Sequence, residues 1–449
     1  MFTNKQFWTP SAIWKHWFSP PKAKNLDVIN KKVLITGGNA GLGKEVCKQL
    51  ASMGCSDITI LARNSTTSEQ TIFECQTLYE KFYRKNYTDQ NKNENKKMKV
   101  SINENLGQEN FTFHQCDLGD QNNVKMVAIK LANDCIKKNR GFDVIICNAG
   151  VYPNILKKTK DNFEWNFGIN HLGHFALVLT YLNTLIENNP NLDVQSSIRN
   201  ERFSVRMSEA GTGDTTKSVS FSNPSLFPSR IVSLASIAHL WVTKGLNFDN
   251  LNWDDPSIQF DEKYAYGSGK MMAILFSKSL SEKLRETQHL HGQKTLVNSV
   301  HPGVCYTGLF SEQGIGALAQ KLLFRSAKNG AQTILYAGFS TNLKSSQRSG
   351  CYFDNCLPAE QNLNKWAKMK EQRERLWKIS SQTVKVDLFS RLLVDNDNAD
   401  DESKDNETDD GYLKPKTVYK KTETMRTDLG LSNEGFEQAD DMSLSETIL

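Results

Sequence analysis

Residues 31–52 (KKVLITGGNAGLGKEVCKQLAS) constrain the fold of this chain most. A short apolar run over 31–36 reads as a buried strand. It breaks into Gly37-Gly38-Asn39-Ala40-Gly41-Leu42-Gly43, and a helix follows over 44–52. Glycines between a strand and a helix let backbone come close to a bound group that a Cβ would exclude. The helix then offers its N-terminal N–H groups and dipole, which suit a pyrophosphate. The strand before the turn and the helix after it are the context this motif needs.

The rhythm continues. Strands are expected over 57–62, 111–115, 142–147, 230–234 and 295–300, with helices over 65–83, 166–186 and 264–286. Such alternation predicts an α/β fold, a doubly wound parallel sheet with helices on both faces. Two polar stretches interrupt it, at about 86–110 and 188–229. Both precede a strand, so they are expected at the edge opposite the strands' carboxyl ends, where ligands bind. Padding without function is the simpler reading of each. The chain then splits into an N-terminal arm (1–29), a nucleotide-binding domain (30–383) and a tail (384–449). The tail carries nine acids and one lysine over 395–410 and reads as disordered.

Composition narrows the function classes. A net charge of +5 over 449 residues, without a basic stripe, gives nucleic-acid binding no support. Nine cysteines, odd in number and without a C-x-x-C pair, read as reduced core thiols of an intracellular, reducing compartment. That compartment is the cytoplasm, or the cytoplasmic face of a membrane such as the endoplasmic reticulum. No metal site is expected: His171 and His174 are three apart but lack a third ligand nearby, so solvent or packing roles are assigned to them. No run of about 18 apolar residues suggests a membrane span. Residues 1–21 hold Phe2, Phe7, Trp8, Ile13, Trp14, Trp17 and Phe18 beside Lys5 and Lys15. They suit either a peripheral membrane contact or an arm packed on the domain, and Pro10, Pro20 and Pro21 favour the arm by limiting its helix.

At the end of the second strand, dinucleotide enzymes that use NAD place an acid for the ribose hydroxyl. This chain has Ala62-Arg63-Asn64 there. An arginine without an acid suits a 2′-phosphate, so NADP(H) is preferred over NAD(H). Tyr266 and Lys270, four apart in AYGSGKMMAILF, share a helix face. An ammonium beside a phenol is expected to lower the tyrosine's pKa toward the working pH and prepare it for proton transfer. Tyr264 falls on the wrong face. Ser236, leaving a strand in RIVSLAS, is placed to bind a substrate oxygen, with Ser233 as the structural alternative. Asn170 is a polar residue in the apolar stretch NFGINHLGHF and suits a hydrogen-bonded or water-linked role.

Together these residues resemble the short-chain dehydrogenase/reductase family. The T-G-x-x-x-G-x-G turn is Thr36 to Gly43 (Thr36, Gly37, Asn39, Gly41, Leu42 and Gly43 being its cofactor-side residues). Asp117 and Leu118 match the adenine-side element, Asn148-Ala149-Gly150 the N-A-G element, and Asn170, Ser236, Tyr266 and Lys270 the catalytic set. Pro302-Gly303-Val304 matches the P-G motif, with Thr307 at the nicotinamide amide. The text LARN, NAGVY, NHLGHF, AYGSGK, HPGV, GCYFDNC and LWKIS is similar to the retinol dehydrogenase 11–14-like and WW-domain oxidoreductase-like branch, over about 30–380 and without a WW module. Gly269 departs from it, because that branch usually has serine directly before the lysine.

The resemblance implies a seven-stranded parallel sheet and a single domain. It implies hydride exchange between NADP(H) and an apolar carbonyl or alcohol, whether retinal-like, steroid, lipid aldehyde or xenobiotic. Tyr266 would transfer the proton, Lys270 tune it and hold the ribose, Ser236 orient the oxygen, and Asn170 support a water link. Val151, Tyr152, residues 239–241 and the stretch after Thr307 would line the pocket. A homo-oligomer is compatible with the family. The alternative is a nucleotide-binding scaffold of the same fold without turnover.

Overall fold

The computed structural model describes residues 21–88, 110–188, 226–288, 294–305, 325–343 and 348–389. Residues 1–20, most of both polar stretches, Thr307 with the stretch after it, and the acidic tail lie outside them. The chain divides after Leu388.

Eight strands form one sheet: β1 (Lys32–Thr36), β2 (Asp57–Ala62), β3 (Asn110–Gln115), β4 (Val144–Cys147), β5 (Arg230–Leu234), β6 (Leu296–His301), β7 (Tyr352–Asp354) and β8 (Leu357–Pro358). Their order is β3-β2-β1-β4-β5-β6-β7-β8. The first seven are parallel, as expected. The eighth, which the sequence reading lacked, is antiparallel to β7. Asn355 and Cys356 both have positive φ (53° and 60°), which turns the chain back in two residues. Pro358 on this short last strand leaves no N–H to template further pairing.

The central strands are apolar on both sides because helices cover both faces. On one face Val33, Ile35, Ile58, Ile60, Val144, Ile146 and Val232 meet α1 (Gly41–Ser52), α2 (Ser65–Tyr83) and α6 (Ala327–Phe339). The other helices are α3 (Gln121–Lys137), α4 (Gly173–Glu187), α5 (Glu262–Glu286) and α7 (Lys370–Val384). Among them α3 packs on α4, and α7 on α5. Trp377 of α7 wedges edge-on against Phe175 at 5.0 Å and stacks on Phe276 at 6.2 Å. Helices α3, α6 and α7 were not anticipated from the sequence.

The helix expected over 166–186 is not continuous. A short turn (Trp165–Phe167) leads into a π-helical turn (Gly168–Leu172), and α4 starts only at Gly173. The Gly173 N–H reaches back to the Gly168 carbonyl. Close packing explains part of the break: a Cβ on Gly173 would lie 2.5 Å from the Leu118 carbonyl oxygen, and one on Gly168 would lie 2.7 Å from the Thr159 methyl. Wide π turns recur at functional sites, and this one carries Asn170.

Residues 21–29, read as part of the arm, join the sheet domain. Leu26 bridges to Ser340, Asp27 N–H bonds the Phe339 carbonyl at 2.9 Å, and Val28 enters the core. No helix among the described residues is long and apolar enough to cross a membrane. No disulfide joins the nine cysteines, and all but Cys351 are buried. Burial pushes the thiols of Cys55, Cys75, Cys116, Cys147 and Cys305 up to about 12, so each stays a neutral thiol at physiological pH.

Candidate active site

The strand order reverses between β1 and β4, which opens a crevice at their carboxyl ends. The sequence motifs meet there. Gly37 and Gly41 take positive φ (65° and 50°), a backbone that side chains resist. Gly43 is needed for proximity: a Cβ there would sit 2.2 Å from the Gly37 carbonyl oxygen and 2.5 Å from Asn148 Nδ2. The Asn148 amide braces the turn by donating to the Thr36 carbonyl at 2.9 Å and the Gly37 carbonyl at 3.3 Å. Gly43→Ala is therefore expected to destabilise the fold by about 1–3 kcal/mol, as overpacking does. It should also weaken nucleotide binding at least tenfold. A thermal scan beside a nucleotide titration checks both, and an unshifted midpoint would show that the turn yields.

Arg63 lies exposed just beyond β2, at the N-terminus of α2. Its carbonyl accepts from Gln115 Nε2 at 3.1 Å. Nearby, Asn64 caps α2 through the Thr67 N–H, and Asn39 Nδ2 donates to the Thr67 hydroxyl at 2.8 Å. This places Asn39 of the glycine turn beside the first turn of α2. Asp117, after β3, turns back to accept from the Gly119 N–H at 2.9 Å, and Leu118 is buried. Beyond β6, Gly303 has φ +87°, and a Cβ there would lie 2.7 Å from Arg325 Nη1. Arg325 itself is buried, and its N–H bonds the Val304 carbonyl at 2.8 Å. No sequence signal pointed to Arg325.

Tyr266 and Lys270 sit one turn apart on α5, both buried. Lys270 Nζ donates to the Leu234 carbonyl at 3.2 Å and lies 5.6 Å from the Tyr266 ring centre. A Cβ on Gly150 would come within 3.3 Å of that Nζ and 3.2 Å of Asn170 Oδ1. The N-A-G glycine thus keeps open a space bounded by lysine and asparagine. Ser236 caps the short 3₁₀ turn Ile237–Trp241, and its hydroxyl is near enough to Tyr266 to favour the ionised phenol. Ser233, its alternative, is buried within β5. Tyr264 turns away and donates to the Gly245 carbonyl at 2.7 Å. Tyr152 stacks on Tyr266 at 4.3 Å, with Trp241 beside both rings. His239 does not line this wall. It is fully buried, with Nδ1 2.7 Å from the Ser236 carbonyl and its ring against Tyr352 at 5.4 Å.

The electrostatics differ from the spacing argument. Burial raises the Tyr266 pKa, and the nearby Ser236 hydroxyl only partly opposes it. Burial lowers Lys270 to about 8. The lysine does not pull the phenol down, because its Nζ turns to the Leu234 carbonyl and the site costs both groups their solvation. What the site presents is a neutral phenol, a proton donor.

Asn170 is held by a network that sequence reasoning missed. Its Oδ1 accepts from Val151 N–H at 2.8 Å, and its Nδ2 donates to the Val151 carbonyl at 2.9 Å and to Asn166 Oδ1 at 2.8 Å. Asn166 Nδ2 in turn donates to the buried Glu164 carboxylate at 2.8 Å. The departure at Gly269 belongs to this network: a Cβ there would stand 3.1 Å from Asn166 Cβ and 3.3 Å from Asn170 Nδ2. Glycine gives these two amides room on α5. Among the described residues no three His, Cys, Asp or Glu converge as metal ligands.

The glycine turn, the buried Tyr266–Lys270 pair with Ser236, and Asn170 on its π turn gather at the carboxyl ends of β1, β4 and β5. The short chain dehydrogenase family model matches residues 31–87 and 74–191. Retinol dehydrogenases are among the relatives of this chain. It is 26% identical to retinol dehydrogenase 12 of Mus musculus over 86% of this chain and 96% of that protein. It is 28% identical to the chloroplastic short-chain dehydrogenase TIC 32 B of Brassica napus over 74% of this chain and 82% of that protein. A solved Mycobacterium paratuberculosis protein shares the fold, with a TM-score of 0.51 and 22% identity over 81% of this chain and 97% of that one.

Proposed function

We propose that this protein is an NADP(H)-dependent reductase acting on the carbonyl of a small apolar compound, and that Tyr266 supplies the proton. The observation that carries this is the buried Tyr266 phenol, kept neutral by its burial and stacked on Tyr152 with the Ser236 hydroxyl nearby. The glycine turn fits a dinucleotide: Gly37 and Gly41 take the positive φ that bends the strand into the helix, Gly43 lets the turn close on Asn148, and Gly150 keeps the space beside Lys270 and Asn170 open. Thr36, Gly37, Asn39, Gly41, Leu42 and Gly43 would hold its pyrophosphate side. Asp117, Leu118, Asn148, Ala149 and Gly150 would flank the adenosine and ribose, and Pro302, Gly303, Val304 and Thr307 the nicotinamide. When bound, NADPH supplies the hydride.

The remaining chemistry belongs to the chain's own side chains. Ser236 and Tyr266 hold the substrate oxygen between two hydroxyls, which stabilises negative charge growing on it. Tyr266 donates its proton to that oxygen. Lys270, which would hold the ribose, can return a proton toward the phenol, and Asn170 would support a water link to it. Tyr152 and Trp241 form an aromatic wall that excludes water and receives an apolar body. Retinal-like, steroid, lipid-aldehyde and xenobiotic carbonyls all have one. The retinol dehydrogenase names of the relatives favour the retinal-like class.

NADPH oxidation against a panel of aldehydes and ketones tests the reading, with NADH in parallel. Turnover of apolar carbonyls is expected. Nucleotide binding without turnover of any would return the scaffold alternative. Arg63 supports NADP(H) by its place at the end of β2, where no acid competes. Arg63→Ala is expected to raise the NADPH KM about tenfold to a hundredfold through loss of a charged hydrogen bond, leaving NADH unaffected. An equal change for both nucleotides would remove the preference.

A further inference from the structure

We infer that His174 is a positioning residue, locked as the neutral Nδ1–H tautomer, that joins the glycine turn to Asn170 in one closed circuit of hydrogen bonds. The Thr36 hydroxyl has one proton and two lone pairs. Asn148 N–H and Ala149 N–H both donate to Thr36 Oγ1, at 2.9 and 3.0 Å. Its lone pairs are then used, so its proton goes to His174 Nε2, 2.9 Å away. A neutral imidazole that accepts at Nε2 carries its hydrogen on Nδ1. That nitrogen faces the Asn170 carbonyl at 3.4 Å and donates to it.

The circuit closes through the N-A-G element. Asn170 grips both backbone groups of Val151, and two residues earlier Ala149 donates to Thr36. Thr36, His174, Asn170 and residues 148–151 therefore move as one unit, with Lys270 Nζ facing Gly150 inside it. His174 is buried, and burial with the nearby Lys270 charge holds its pKa down near 4.

The neighbouring His171 provides an internal contrast. Ser380 donates its hydroxyl proton to the Leu376 carbonyl at 2.7 Å, so it must accept from His171 Nε2, also 2.7 Å away. His171 is thus the Nε2–H tautomer. Two histidines three residues apart carry their protons on opposite nitrogens. One ties the site to α7, the other ties it to β1.

The role in turnover rests on the reductase reading, whereas the tautomer does not. The test is nitrogen NMR of the full chain with labelled histidine at neutral pH, compared with Thr36→Ser and Thr36→Val. Loss of a signal in His174→Asn assigns it. If that variant fails to fold, the signal perturbed by Thr36→Val assigns it. Wild type and Thr36→Ser should show His174 as Nδ1–H and His171 as Nε2–H. Thr36→Val should shift His174 alone toward Nε2–H and weaken NADPH binding about tenfold relative to Thr36→Ser, as a broken buried hydrogen bond does. Its kcat should fall below that of Thr36→Ser. A wild-type His174 that is Nε2–H or charged at neutral pH, or a Thr36→Val protein with the tautomer unchanged, overturns the inference. If the tautomers are as stated and no carbonyl is turned over, the reductase reading fails and the circuit stands.

Discussion

Replacing Tyr266 by phenylalanine is expected to lower carbonyl turnover about 10²–10⁴-fold while NADPH binding and stability stay near wild type. The substitution removes one hydroxyl. The ring keeps its stack on Tyr152 at 4.3 Å and its place beside Trp241, so packing is conserved. What is lost is the proton that burial keeps on the phenol. Initial rates with NADPH and a reactive apolar aldehyde, beside a binding titration, give the answer. Equal turnover in the variant would exclude Tyr266 as the proton donor and leave Ser236 or water to be considered.

Lys270→Met should give the second large effect, with activity and stability moving in opposite directions. Lys270 is buried, and its pKa falls from 10.5 to about 8. Below pH 8 the lysine is charged in both folded and unfolded chains, and the folded state bears the whole desolvation cost. Between about 8 and 10.5 the unfolded chain binds more protons, so stability rises with pH in that window. The shift corresponds to about 3 kcal/mol at pH 7, at about 1.4 kcal/mol per unit. The bond to Leu234 offsets part of it. The nucleotide-free variant is expected to be about 1–3 kcal/mol more stable than wild type at pH 7, a rise of several degrees in Tm. The gap should close as pH climbs from 8 to 10.5, and turnover should be lost throughout. A less stable variant at pH 7, or a gap that widens with pH, would show that Lys270 is better solvated than its burial implies.

Both predictions concern residues that were legible in the sequence, yet the reason for each effect came from the structure. Spacing placed Tyr266 and Lys270 on one helix face. It could not weigh the attraction of an ammonium for a phenolate against the cost of burying both. Burial dominates, and the expected lowering of the tyrosine becomes a rise. Gly269 shows the same limit. In sequence it was only a missing serine before the lysine, whereas in space it faces Asn166 and Asn170 across α5.

His174 illustrates what spacing leaves open. Its distance from Asn170, four residues, was visible, and a packing or solvent role was assigned to it; the structure buries it. Its partner Thr36 lies 138 residues away. No periodicity carries a contact of that range, which exists only because β1 and β4 are neighbours in the sheet. Arg325, folded over Gly303, left no sequence signal for the same reason.

By itself the sequence determined what is local. The strand-turn-helix at 31–52, the bounds of β2, α2 and β5, and the parallel alternation followed from apolar periodicity and glycine placement, which act over a few residues. The tertiary structure decided what depends on distant groups meeting. It converted a continuous helix into a π turn where Gly168 and Gly173 meet other segments, and it added β8 through a two-residue turn. It also set the protonation of the site, because desolvation is a property of everything packed around a group.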